Sequence, residues 1–198
     1  MKTRRLSLYF FLLIILWLQA AFLNAQDNAA LNMDNLGRLW QEYIATPGEA
    51  TAARIYDALP DGTGTTKVEL QPEVKELIKQ NLNVLETQLY RGERYSLRMA
   101  FRLFLVTDSE METTLIKIIG YLLRFNTKLF LEELKTHENL VPNLDRLVCY
   151  FMESNPADKA QQNLEKNICI KALGYVEDKD LKNIKKKCLK ILKKLVIE

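Results

Sequence analysis

The sequence predicts an all-α protein on three observations. Apolar residues recur with helical spacing from Leu31 to Val196. No segment alternates apolar and polar residues long enough to make a strand, and capping or breaking residues cut the chain every 12 to 20 residues or so, about the length of an ordinary helix. About nine helices are expected, joined by connections short enough to make consecutive helices antiparallel.

Ahead of the helices lies a segment of another kind. Lys2, Arg4 and Arg5 precede an apolar stretch from Leu6 to Leu18, and small residues follow near Ala25, the three-part order of a cleavable secretory signal peptide. Leu23-Asn24-Ala25 approximates the small-x-small cleavage pattern, with Ala21 as a second candidate. Residues 1–25 are therefore expected to be removed, leaving residues 26–198 as a single helical domain in a periplasmic or secreted location. Without cleavage, Leu6 to Leu23 approaches the roughly 20 residues of a spanning helix and would tether the protein to a membrane.

The helices follow in order. A first runs from Ala29 to Ile44, and Thr46-Pro47-Gly48-Glu49 has the makings of a capping box opening the second. The irregular stretch Leu59-Pro60-Asp61-Gly62-Thr63-Gly64 leads to a third helix from Pro72 to Gly92, and a fourth covers Glu93 to Val106. Thr107-Asp108-Ser109-Glu110 reads as a second capping box before a fifth helix through Phe125. There Leu115, Ile116, Ile118, Ile119, Leu122 and Leu123 cover most of the circumference, so this helix should be buried on nearly all sides. Asn126 caps a sixth through His137, Pro142 starts a seventh through Glu153, Asn155-Pro156 starts an eighth to Val176, and Asp178 caps the ninth.

Charge is distributed unevenly. The 198 residues hold 28 Lys and Arg against 25 Asp and Glu, and loss of the signal segment removes three cations and no acids. Residues 177–198 then carry eight lysines against four acids, and the rest of the domain is acidic. A neutral exported domain is not expected to bind nucleic acid.

Ile170-Lys171-Ala172-Leu173-Gly174-Tyr175-Val176, then an acidic turn, then Leu181 to Leu192 resembles a HEAT-type helical repeat, and Arg98 to Leu134 has a similar rhythm. Residues 93–198 are the most repeat-like part. The resemblance implies an α-solenoid, of the HEAT or armadillo kind, whose curved face binds another macromolecule. A compact helical bundle is the alternative.

Few residues suggest chemistry. The single histidine, His137, belongs at the last turn of the sixth helix in an exposed-looking stretch from Lys135 to Asn139, where a positive imidazole would suit the helix dipole and pair with Glu133. Asp61-Gly62-Thr63-Gly64-Thr65-Thr66-Lys67 lacks the Walker spacing and reads as a turn. Arg94, Arg98 and Arg102 form a ladder about 6 Å per step, suited either to an acidic partner or to acids such as Glu110 and Glu112 on neighbouring helices. On the ninth helix, Leu181, Ile184, Cys188, Ile191 and Leu195 make one apolar face, with Lys182, Lys186, Lys190, Lys193 and Lys194 elsewhere. Such a helix caps a solenoid, contacts an acidic protein or rests on an anionic membrane. Cys169 and Cys188 fall level across an antiparallel hairpin and are candidates for a disulfide, whereas Cys149 reads as a core residue.

No catalytic, metal-binding or cofactor-binding constellation is expected. The sequence points first to an exported noncatalytic interaction or scaffold protein whose partner is another protein. An inhibitor or immunity-type protein of the same compartment is the second expectation. A carboxylate-dependent hydrolase, the third, requires two acids converging in a pocket.

Overall fold

In the computed structural model, which describes residues 35–63, 68–154 and 156–197, every regular element is a helix. Among the described residues there are eleven α-helices: α1 Leu36–Ala45, α2 Glu49–Ala58, α3 Pro72–Gln80, α4 Leu82–Tyr90, α5 Arg94–Leu103, α6 Ser109–Phe125, α7 Thr127–His137, α8 Leu144–Val148, α9 Phe151–Ser154, α10 Lys159–Gly174 and α11 Lys182–Lys194. Short 3-10 turns at Glu138–Leu140 and Lys179–Leu181 follow α7 and precede α11. The expected signal segment lies outside the described residues, and no helix within them is long and apolar enough to cross a membrane.

The count exceeds nine because two expected helices are each divided. Asn81 leaves the helical region at φ −119°, and its side-chain amide donates to the Leu77 carbonyl at 2.8 Å, which separates α3 from α4. Cys149 and Tyr150 interrupt the expected helix from Pro142 to Glu153, leaving the short α8 and α9. The second break is tertiary in origin. Gly120 of α6 brings its backbone so near Tyr150 and the Leu147 carbonyl that an added Cβ would lie 2.7 Å from that oxygen and closer still to the tyrosine.

Helix starts follow the side chains that can accept a backbone N–H. Asp108, Asn126, Asn143 and Asp158 cap α6, α7, α8 and α10, and Asp178 caps the turn before α11. The sequence placed three of these starts one or a few residues early, at Thr107, Pro142 and Asn155-Pro156. Thr46 does not cap α2: it closes α1, and Gly48 occupies the N-cap. Glu49, expected to reach back, instead crosses to α5 and accepts from the amides of Arg94 and Tyr95 at 2.6 and 2.7 Å. The carboxylate thus satisfies two orphan donors of a helix far away in sequence.

Helices α2, α5, α7 and α11 pack successively in one row, and α4, α6 and α10 in a second beside it. Helix α1 closes the first end against α2 and α3, while α8 and α9 lie on α6, with α8 also touching α11. All the described buried apolar residues but Leu140 form one cluster from Leu36 to Leu192. Its centre is α6, where Met111, Leu115, Ile116, Ile118, Ile119, Leu122 and Leu123 are all buried, as the sequence predicts. Each such side chain contributes about 1.5–3 kcal/mol by leaving water.

A buried ion pair crosses each row. Glu133 of α7, 1% exposed, accepts from Arg94 at 2.5 Å and Arg98 at 2.9 Å, both on α5. In the second row Glu165 of α10, 4% exposed, accepts from Arg124 of α6 at 2.6 Å and from the Tyr150 hydroxyl at 3.2 Å. Removing Glu133 would leave Arg98, and removing Glu165 would leave Arg124, without its acidic partner at a helix interface.

The Gly120 contact has a simple test by urea denaturation. Gly120→Ala is expected to lower the unfolding free energy by about 1–3 kcal/mol, because the colliding atoms include backbone that cannot rotate aside. Gly174→Ala, in open space at the last residue of α10, should leave it unchanged or raise it by about 0.5–1 kcal/mol. Equal effects at the two sites would contradict this packing.

Candidate functional site

The final helix is amphipathic in three sectors rather than two. Leu181, Ile184, Cys188 and Leu192 are buried, while Lys182, Lys186 and Lys193 are exposed on the opposite side. Between them, Lys187, Lys190, Ile191 and Lys194 recur at three and four residue intervals and therefore share one stripe. The helix is fixed at both ends by other lysines. Lys185 donates to the Val176 carbonyl at 2.6 Å, and Lys166 of α10 donates to the Leu195 carbonyl at 2.6 Å.

Across from this stripe stand α8 and α9. Arg146 of α8 is held rigidly by Glu153 at 2.8 Å, Glu112 at 3.0 Å and the Thr113 hydroxyl at 3.2 Å. Because α8 and α9 are only five and four residues long, they do not cover the full length of α11. The uncovered space is a groove of about 670 Å³. Its floor is Leu144, Cys149, Met152, Ile191 and Leu195; Lys187, Lys190 and Lys194 line the α11 wall, and Asp145 with the Arg146–Glu153 pair lines the other.

Lys187 reaches Glu138 at 2.7 Å, whereas Lys190 and Lys194 have no acidic partner among the described residues. The groove therefore sets an apolar floor beside two lysines that have no acidic partner among the described residues. Of the lysines singled out in the sequence, Lys190 and Lys194 enter the groove, and Lys182, Lys186 and Lys193 face away from it. Lys187, Leu144 and Met152 were missed. The 187/190/191/194 spacing was a usable signal for one wall, but nothing local in the sequence announces the other.

The arginine ladder does different work at each rung. Arg94 also pairs with Glu132, Arg98 serves Glu133, and Arg102 donates to the carbonyls of Tyr56 and Leu59 at 2.6 and 3.1 Å while lying 3.6 Å over the Tyr56 ring. The neutralising acids come from α7, not from Glu110 and Glu112, which pair with Lys79 and Arg146. In the loop before α3, the Asp61 carboxylate accepts from the Thr63 amide and hydroxyl, and Gly62 supplies φ +81°. Residues 64–67 lie outside the described residues.

All three cysteines are buried free thiols. Burial pushes Cys149 up to about 11 and Cys169 and Cys188 up to about 12, so none is a thiolate at neutral pH. Cys169 and Cys188 sit on α10 and α11, which pack together. Among the described residues no cluster of three His, Cys, Asp or Glu side chains has the arrangement of a metal site.

His137 does end α7, but it is buried, not exposed. Its Nδ1 lies 2.9 Å from the Glu133 carbonyl, which can only accept, so Nδ1 carries the proton and Nε2 accepts from the Tyr56 hydroxyl at 3.2 Å. Phe101 stacks on the ring at 5.5 Å. Burial holds the imidazole pKa below its ordinary 6.5, outweighing the Glu133 carbonyl and carboxylate, and Arg98 and Arg102 add to the lowering.

A depressed histidine pKa means that the unfolded chain takes up a proton the folded protein refuses. Unfolding free energy should therefore be level above about pH 6.5 and fall on acidification below it, until the folded imidazole itself is protonated. Thermal melts from pH 8 to 5 should show this decline in the wild type and a shallower one in His137→Gln; identical slopes would contradict a neutral buried imidazole. Comparison of the chain with known protein families, curated proteins and solved structures finds no match.

Proposed function

We propose that this protein is an exported, noncatalytic interaction module that receives a segment of another protein in the groove between α8–α9 and α11. One observation carries this: the groove sets an apolar floor of Leu144, Met152, Ile191 and Leu195 beside Lys190 and Lys194, which no acid of the described residues neutralises. A monomeric domain gains nothing by leaving such a surface open unless something else covers it. The buried carboxylates Glu133 and Glu165 are both engaged by arginines, and His137 is engaged on both ring nitrogens. These groups serve packing and leave the groove as the distinctive surface. Stacked helix pairs, as in a solenoid, would present it as part of an extended face.

Export rests on Lys2, Arg4 and Arg5 ahead of the apolar residues 6–18. The partner would then be met outside the cytoplasm.

Two measurements test this. Mass spectrometry of the protein recovered from its native cells should give a first residue at Gln26; a first residue at Met1 would overturn cleavage. Capture from the extracytoplasmic fraction should yield one stoichiometric protein with the wild type and lose it with Ile191→Glu/Leu195→Glu, a pair of half-buried positions whose folding is checked by thermal melting. Undiminished capture by the folded variant would overturn the groove as the binding site.

A further inference from the structure

We propose that the occupant of the groove is an acidic amphipathic helix, with its apolar stripe on the groove floor, a row of carboxylates along Lys187, Lys190 and Lys194, and a cation beside Asp145. This rests on the groove being a protein-binding site and adds the chemistry of what binds there.

The spacing of the lysines carries the inference. From Lys187 to Lys194 the α11 stripe rises about 10 Å in steps of about 4.5 and 6 Å, with Ile191 in the same stripe. Carboxylates three and four residues apart on a second helix repeat at those same steps, so two helices lying side by side meet charge to charge along their length. A ligand with a single anionic head would engage one of Lys190 and Lys194 and leave the other without a partner, Lys187 being already paired with Glu138. The floor matches too, since an amphipathic helix presents apolar anchors at the same three and four residue intervals. Asp145, exposed on the opposite wall, makes the charge pattern directional. Val196, 72% exposed just past the Leu195 end of the groove, lengthens the apolar surface beyond α11.

An anionic bilayer fits less well. A flat surface would have to approach the outer sector of Lys182, Lys186 and Lys193, and no large apolar side chain of Lys182–Lys194 is exposed to insert.

The test uses the full domain, a fluorescent stapled helix with leucines at three and four residue spacing, glutamates on one flank and lysines on the other, and a second helix of the same composition with its flanks exchanged. Vesicles of phosphatidylglycerol and phosphatidylcholine form a third arm. The first helix should bind about tenfold more tightly than the exchanged one, a preference that fades with salt. Lys190→Glu/Lys194→Glu, both exposed and folded by thermal melting, should reverse the preference, and Lys182→Glu/Lys186→Glu/Lys193→Glu should leave it intact. Equal binding of the two helices, or vesicle binding that alone depends on Lys190 and Lys194, would overturn the acidic helix. If Ile191→Glu/Leu195→Glu still abolishes capture of the natural partner, the groove stands and only this chemistry fails; if capture is unaffected, both fail.

Discussion

Six of the other helices pack against α6, and the need to bury that helix on nearly every side organises the centre of the molecule. Seven large apolar side chains between Met111 and Leu123 point in too many directions for one neighbour to cover. Helices α4, α5, α7, α8, α9 and α10 share the task. A close approach is made where α6 has no side chain at all. Gly120 admits the Tyr150 ring and the Leu147 carbonyl, and the chain of α8 and α9 breaks to follow that contour. The break keeps α8 and α9 short, and their shortness uncovers the flank of α11. A core constraint thus produces a surface opening.

Apolar packing alone would allow these helices to slide past one another, because leucine and isoleucine faces tolerate several registers. Charge fixes the register. Glu133 and Glu165 are both buried, each held by arginine from the preceding helix of its row. Glu49 and Arg102 extend the same logic to helix ends, the first accepting amides at the start of α5 and the second covering carbonyls at the end of α2. Lys166 and Lys185 do so for α11 and α10. Lys190 and Lys194, exposed beside the apolar floor of the groove, have no such partner among the described residues.

Much of the fold was legible in the sequence wherever the signal is local. The helical period, the burial of the helix before Phe125, and the caps Asn126 and Asp178 need only neighbours a few residues away. Contacts between distant segments were not legible. Glu49 looks like a capping-box glutamate until α5 is brought to it, and His137 looks like an exposed helix end until Tyr56 and Phe101 enclose it. The break at Cys149 and Tyr150 answers to Gly120, some thirty residues earlier. Half of the groove was visible as a lysine-rich amphipathic helix. The other half depends on where α8 stops, which no periodicity reports.

Helix α6 is the element whose integrity the remaining packing, and so the groove, requires. Native-state hydrogen exchange measures this most directly. Amides from Leu115 to Leu123 should exchange only through global unfolding, with protection matching the stability found in urea, while those of α8, α9 and α11 open at lower free energy. If the α6 amides exchanged as readily as those of α11, or before them, the central helix would not be what holds the structure together.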